Sequence, residues 1–290
     1  LILGATGMLG HALFYYFSRS GRYDVYATEA DNCVFEKYFP AEMSKRIITD
    51  VDAMRLESVR AAVKLVKPGV VINCIGIIKQ LKESKNSVLS ISINSLLPHQ
   101  LAEICSENDA RLVHISTDCV FRGDRGNYLD DDYADADDLY GRTKYLGEVD
   151  YPNAVTLRTS IIGHELKGRL SLIDWFMSQE GDVKGFTKAI YTGFPTVEFA
   201  SIIDSYILPD TTLTGVYNVS SDPISKYDLL KIVAQIYKKE NNIHPDDSLK
   251  IDRSLNSERF RMRTGFRPQT WGEMIKKMHE DYNERKNLYL

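Results

Sequence analysis

Leu1-Ile2-Leu3-Gly4-Ala5-Thr6-Gly7-Met8-Leu9-Gly10 opens the chain with an apolar run, then glycines spaced G-x-x-G-x-x-G at the start of a helical pattern. Glycines so placed let the chain turn tightly, let the backbone approach a pyrophosphate, and let a helix pack closely on a strand. The pyrophosphate sits at the helix N-terminus, where unpaired N–H groups and the helix dipole favour negative charge. A glycine triplet alone is weak. Here an apolar strand precedes it and His11–Ser20 reads as a helix, which is the context the motif requires. Gly4, Thr6, Gly7, Met8, Leu9 and Gly10 are therefore the expected dinucleotide-binding turn. The chain begins inside this strand, and a few residues, an initiator Met among them, are expected to precede Leu1.

Further along, strand and helix patterns alternate. Asp24–Thr28 reads as a second strand ending at Glu29, where an acidic side chain holds the ribose 2′-hydroxyl of NAD and a basic one accepts the extra phosphate of NADP. Glu29 leans toward NAD(H), with Lys37 or Arg46 able to fold back toward the same position. Ile47–Val51 reads as a third strand whose end, Asp50 and Val51, meets the adenine. A helix over 52–66 leads to Pro68-Gly69 and the buried strand Val70–Gly76. Cys74, Ile75 and Gly76 line the cofactor site in this reading, Gly76 letting the nicotinamide ribose approach the backbone. The blander alternative for Asn73 and Gly76 is a plain strand-to-loop turn. Residues 77–90, polar and rich in Lys, form a wall of the substrate site. In the helix expected over 91–108, Asn94 is either a core amide tied to a neighbouring loop or a member of a proton network. Strands over 111–117 and 154–162 continue the alternation. The pattern implies an α/β fold, a Rossmann-type doubly wound parallel sheet with right-handed crossovers.

The chemistry concentrates between Arg111 and Glu148. An apolar strand breaks into Ser116-Thr117-Asp118, a polar acidic loop follows, and Tyr140-Gly-Arg-Thr-Lys144 begins a helix. On a helix, Tyr140 and Lys144 lie one turn apart on one face. A free phenol titrates at about 10. A neighbouring ammonium favours the phenolate and is expected to pull that value down, toward proton exchange with a substrate. Thr117 adds a hydroxyl hydrogen bond to the same substrate oxygen. Thr117, Tyr140 and Lys144 together can protonate a carbonyl oxygen while hydride reaches its carbon. A Tyr-x-x-x-Lys without a cofactor turn upstream is usually a surface pair; here the turn is present.

The 290 residues, 43% hydrophobic and 26% charged, suffice for one large unit or a large domain with a smaller one. A net charge of −4 with scattered basic residues gives no nucleic-acid surface. Cys33, Cys74, Cys105 and Cys119 lack metal-ligand spacing and read as reduced thiols of a cytoplasmic protein. No apolar run approaches membrane-spanning length and no signal-peptide pattern appears, so neither a membrane anchor nor export is expected. No metal ligand cluster stands out.

After Gly163 the character changes. A helix over 170–179 carries Trp175, and a looser part, 183–195, carries Lys184, Lys188, Gly193 and Pro195. Gly215–Val219 reads as a late strand, Ser225 as the N-cap of a helix over 226–240, and 271–285 as a last helix. The expected organisation is a dinucleotide-binding domain with the catalytic residues over 1–163 and a smaller substrate-binding lobe over 164–290, interleaved with the end of the sheet. Arg158, Lys188, Arg253, Arg259 and Arg261 are available to meet a substrate phosphate, although each singly is more simply a solvated surface cation.

With Gly4–Gly10, Ser116-Thr117-Asp118 and Tyr140–Lys144 in order, the chain resembles an extended short-chain dehydrogenase/reductase. More narrowly, it looks like the dTDP-4-dehydrorhamnose reductase group of sugar-nucleotide reductases. The matching text is Ile-Ser-Thr-Asp-Cys-Val-Phe (115–121), Leu-Tyr-Gly-Arg-Thr-Lys-Tyr-Leu-Gly-Glu (139–148) and Leu-Arg-Thr-Ser (157–160), with fainter echoes at 193–196, 215–218 and 254–260. The resemblance implies NAD(P)H-dependent reduction of a nucleoside-diphosphate 4-keto-6-deoxy sugar for cell-surface polysaccharide precursors. Tyr140 is then the acid, Lys144 its electrostatic partner and holder of the nicotinamide ribose, and Thr117 the carbonyl donor. The substrate is expected against Ile78, Cys119, Val120, Phe121, Trp175, Lys188 and Arg253. Cys119 stands where related dehydratases have a Glu, and a thiol cannot replace that carboxylic acid in elimination. The rhamnose-pathway reductases typically have Tyr there, so a UDP-linked N-acetylated sugar stays open beside a dTDP sugar. A non-catalytic regulatory subunit like the methionine adenosyltransferase β subunit, and a nucleotide-sugar epimerase, share the resemblance. A homodimer through a helix bundle is implied by the same likeness.

Overall fold

In the computed structural model, residues 1–30 and 37–288 are described; Cys33 lies outside them. The first half alternates β1 (Ile2–Leu3), α1 (Met8–Ser20), β2 (Ala27–Thr28), α2 (Ala41–Ser44), β3 (Ile47–Ile48), α3 (Leu56–Val66) and β4 (Val70–Asn73). Next, α4 (Ser87–Ser90) runs through a π-type stretch, Ile91–Leu96, into α5 (Leu97–Glu107). Then come β5 (Arg111–Thr117), α6 (Leu139–Leu146), β6 (Ala154–Thr159) and β7 (Ile161–Ile162). The second half holds α7 (Leu172–Ser178), β8 (Val183–Tyr191), β9 (Phe194–Pro195), α8 (Thr196–Ile202), β10 (Gly215–Asn218) and β11 (Ile224–Ser225). It ends with α9 (Lys226–Tyr237), β12 (Ile243–Asp252), α10 (Glu258–Thr264) and α11 (Trp271–Arg285).

A seven-stranded sheet in the order β10-β6-β5-β4-β1-β2-β3 is the frame. Every pairing in it is parallel. Strands buried on both faces need apolar side chains throughout, and β4 and β5 are almost wholly buried. The Rossmann-type α/β fold is therefore present. Its strand order reverses between β1 and β4, and in such sheets the crevice beyond the carboxyl ends at that reversal receives the ligand.

Several ends follow from local chemistry. α1 stops at Gly21 in the left-handed region (φ 64°), where glycine has no steric penalty. Asp50 (φ 60°) turns the chain out of the sheet soon after β3, so the strand is shorter than 47–51. Ser225 caps α9 by accepting from Asp228 N–H at 3.0 Å. Thr270 and Glu273 form a capping box on α11, which spans the expected 271–285.

The second half departs from expectation. Residues 183–191 are not loose but form β8, the centre of a sheet ordered β11-β8-β12. Its partner β12, with His244-Pro-Asp-Asp247 inside it, has no alternating pattern and a poor strand composition; pairing with β8 overrides propensity. α8 and the π-type turn after it, Ile203–Ile207, are buried nearly all round, which leaves no amphipathic stripe to read. β10 joins the main sheet beside β6. One hydrophobic cluster holds Ile2, Phe14 and Val113 together with Phe199, Phe260 and Met278, so the core is continuous across residue 163.

Candidate active site

The sheet brings Gly4, Glu29, Asp50, Cys74 and Thr117 to one edge, the first four just beyond the carboxyl ends of their strands and Thr117 at the last position of β5. Gly4 adopts φ 83°, and a Cβ there would lie 3.0 Å from Ile75 Cγ1. A Cβ on Gly10 would lie 2.0 Å from the Gly4 carbonyl, so only glycine lets α1 start this close to β1. Gly7, exposed, is the N-cap with no side-chain cap. The amides of Met8, Leu9 and Gly10 stand in the first turn, where an α-helix offers no acceptor. Thr6 is half-buried beside them. This is a cradle of bare backbone donors at a helix N-terminus, which suits a pyrophosphate.

Around it, Glu29 is buried, its N–H donating to Ile48 and its carbonyl accepting from Val51. Val51 is buried and Asp50 exposed. Arg46 does not fold back: it pairs with Asp24 and lies over the Tyr26 ring. Lys37 is exposed. Asn94 is resolved as a core amide tied to a loop. Its Oδ1 accepts from Ile77 N–H at 2.9 Å and its Nδ2 donates to Ile77 O at 3.0 Å, pinning the chain just past Gly76. Asn73 likewise is more than a turn residue, since its amide meets His114 Nδ1 at 3.1 Å inside the sheet.

Thr117, Tyr140 and Lys144 are brought together where β5 and α6 meet. Asp138 caps α6, accepting from Gly141 N–H at 2.8 Å, and Lys79 donates to the same carboxylate at 2.6 Å. That bridge places the loop carrying Ile78 beside the start of α6. A Cβ on Gly141 would lie 2.2 Å from the Cys119 carbonyl, so glycine lets the helix abut the turn after β5. Lys144 is buried and donates to Ile115 O at 2.7 Å; burial lowers it to about 8, with Glu148 acting the other way.

One expectation is reversed. Burial pushes the Tyr140 phenol up, the nearby Cys119 and Asp118 add to the rise, and the Thr117 hydroxyl opposes it. The Lys144 ammonium is engaged with a backbone carbonyl and does not win. A phenol held protonated is a proton donor, the role that carbonyl reduction requires.

The substrate candidates divide. Cys119 flanks the cluster as a thiol raised to about 12 by burial. Arg253 donates through Nε to Phe121 O at 2.7 Å, and its charge is felt by Asp118 and Cys119. Val120 and Phe121 are corrections: both side chains are fully buried, Phe121 stacked on Tyr128 at 4.2 Å between centroids, and only their backbone is left for a ligand. Lys188 is exposed on β8 and bonded to Asp247 at 2.9 Å. Trp175 stands 37% exposed on α7. Arg158 is neither a surface cation nor a phosphate ligand, for Glu148 grips it at 2.6 and 2.8 Å in the interior. Arg259 lies over the Tyr217 ring and Arg261 bonds Ser257 and Ser220.

Reading the sequence missed two neighbours of the site. Asp118 is buried beside Thr117, and its place next to a strand-end hydroxyl was the available signal. Tyr191 is 8% exposed, and its hydroxyl has no partner among the described residues; nothing local in the sequence marks it. Among the described residues no cluster of His, Cys, Asp and Glu could hold a metal ion.

A parallel sheet reversing at β1/β4, a glycine cradle there, and a Thr-Tyr-Lys cluster one strand away define an extended short-chain dehydrogenase/reductase. The chain belongs to the family described as the RmlD substrate binding domain, which it matches over residues 1–284. A dTDP-4-dehydrorhamnose reductase from Aggregatibacter actinomycetemcomitans is 26% identical over 242 residues, 79% of this chain and 75% of that one. The methionine adenosyltransferase 2 subunit beta of Danio rerio is 24% identical over 251 residues, 82% of this chain and 73% of that one. The solved dTDP-4-dehydrorhamnose reductase from Bacillus anthracis, in complex with NADP, superposes with a TM-score of 0.78 at 21% identity, covering 97% of this chain and 96% of that one.

Proposed function

We propose that the protein is an NAD(P)H-dependent reductase of the 4-keto group of a nucleoside-diphosphate 6-deoxy sugar. The observation that carries this is the meeting of Thr117, Tyr140 and Lys144 beside the glycine cradle at the sheet's reversal point. Gly4, Thr6, Gly7, Met8, Leu9 and Gly10 hold the pyrophosphate, Glu29, Asp50 and Val51 the adenosine half, and Cys74, Ile75, Gly76 and Lys144 the nicotinamide half. When bound, the reduced nicotinamide supplies the hydride. Tyr140 delivers its phenolic proton to the carbonyl oxygen. Lys144, charged below about 8, stabilises the phenolate left behind. Ile78, Cys119 and Arg253 border the sugar, and residues 164–290 form the substrate lobe.

An NAD(P)-dependent oxidoreductase of a sugar nucleotide is the reading that the family and its reductase relatives support. The β-subunit relative suggests a binding role, but a chain that only binds has no use for a catalytic Tyr held protonated next to a buried Lys. The test is a coupled assay with dTDP- and UDP-linked 4-keto-6-deoxy sugars, following oxidation of NADH and NADPH. Turnover with one pair names sugar and cofactor together; silence with all of them, despite dinucleotide binding, returns the protein to the regulatory class.

We place the reaction in the cytoplasm, because Cys74, Cys105 and Cys119 are free thiols. No helix among the described residues is long and apolar enough to cross a membrane. We also propose a homodimer. α4 and the π-type stretch lie against α6, and their outer faces expose Val88, Ile91, Leu96, Tyr145 and Leu146, an apolar patch suited to a second copy. Sedimentation should give a dimer for the parent and a monomer for Leu146→Asp; a monomeric parent ends the proposal.

A further inference from the structure

Carbonyl reduction asks Thr117 to give its hydroxyl proton to the substrate, and a hydroxyl has one proton to give. In this structure a buried carboxylate is set to take that proton, in competition with the Tyr140 oxygen that the same hydroxyl also reaches. Thr117 Oγ1 donates to Asp118 Oδ1 at 3.1 Å while accepting from Cys119 N–H at 3.1 Å. The amide fixes the oxygen, and the carboxylate lies within reach of its hydrogen.

Asp118 is 6% exposed. The groups facing it are the Ser160 hydroxyl beyond β6, the Arg253 guanidinium beyond β12, the Cys119 thiol of its own turn, Tyr140 of α6 and Tyr191 of β8. Were Asp118 protonated, its O–H could donate into the second lone pair of Thr117. The Thr117 proton would then be free for a ligand. The two states of Asp118 thus differ in whether Thr117 faces a substrate as a donor.

We infer that Asp118 is a positioning residue for the reduction, holding the Thr117 proton away from the substrate carbonyl as a carboxylate and releasing it when protonated. The inference rests on the keto-reductase reading above. Burial raises the Asp118 carboxyl, with Ser160, Arg253 and Thr117 opposing. As pH rises through that ionisation the carboxylate reclaims the proton, so turnover should fall on a limb separate from the one at Lys144.

The experiment measures kcat against pH, with product followed directly, for the parent, Asp118→Asn, Thr117→Val and the double variant. Asn offers an N–H donor where the protonated carboxyl would stand, so Asp118→Asn should lose the acidic-side limb and retain the one near Lys144. Thr117→Val should lower kcat about 100-fold and also lose that limb. Adding Asp118→Asn to Thr117→Val should change kcat by less than about twofold, since the carboxylate acts only through the hydroxyl. Survival of the limb in Asp118→Asn, or independent multiplication of the two effects, overturns the inference. Should Asp118→Asn not fold, Thr117→Ser must keep the limb that Thr117→Val loses, and its absence from both has the same force. A parent inactive on every keto-sugar nucleotide would instead remove the reductase reading, which keeps the two failures apart.

Discussion

Tyr140→Phe is expected to bind dinucleotide within about twofold of the parent and to lose about 10³-fold in kcat, the share a positioned general acid supplies. The ring would fill the same space between β5 and α6, and only the proton would be missing. The loss is large because Tyr140 is the group placed to deliver a proton, and burial keeps it protonated through the neutral range. Lys144 sets the alkaline boundary. In the free protein burial brings it to about 8, so kcat/KM should fall as pH rises past that value and the ammonium is lost. Stopped-flow measurement of a single turnover separates the chemical step from binding. A Tyr140→Phe protein with parental kcat would end the assignment of Tyr140 as the acid.

Glu148→Ala is expected to cost about 3–5 kcal/mol of folding stability, the penalty for stranding a buried charge. The side chains of Arg158 and Glu148 are each 4% exposed. The carboxylate also accepts from Ser116 Oγ at 2.6 Å, and Arg158 Nη1 donates to Asp130 O at 2.8 Å. One carboxylate thereby ties β5 and β6 to the segment following α6. Urea titration of the parent and the variant reads the loss. A shift below about 1 kcal/mol, the usual worth of an exposed pair, would show that Arg158 finds water or another partner. The same substitution reaches the site, because Glu148 holds Lys144 up against the effect of burial. In any folded fraction the alkaline limb should therefore move to lower pH.

The sequence by itself determined the order of strands and helices in the first half of this protein and the spacing of its catalytic pair. Glycines at 4, 7 and 10 have few uses after an apolar strand, and the 140/144 spacing puts a phenol and an ammonium on one helical face whatever surrounds them. Strand-helix alternation to residue 163 was legible because strands buried on both faces must be apolar along their length. These signals are local, carried by neighbours in the chain.

What only the tertiary structure decided was which elements and side chains meet. β12 is a strand because β8 lies beside it. Phe121 is buried because Tyr128 stacks on it. Arg158 is structural because Glu148, ten residues earlier, meets it in the interior once β6 is in place. The direction of the Tyr140 shift belongs here too. Spacing predicts the ammonium's pull, whereas desolvation depends on everything packed around the phenol, and in the folded chain desolvation is the larger effect. Composition and period report what a residue prefers; burial and charge at a site are sums over all surrounding partners, and only the assembled fold brings those partners together.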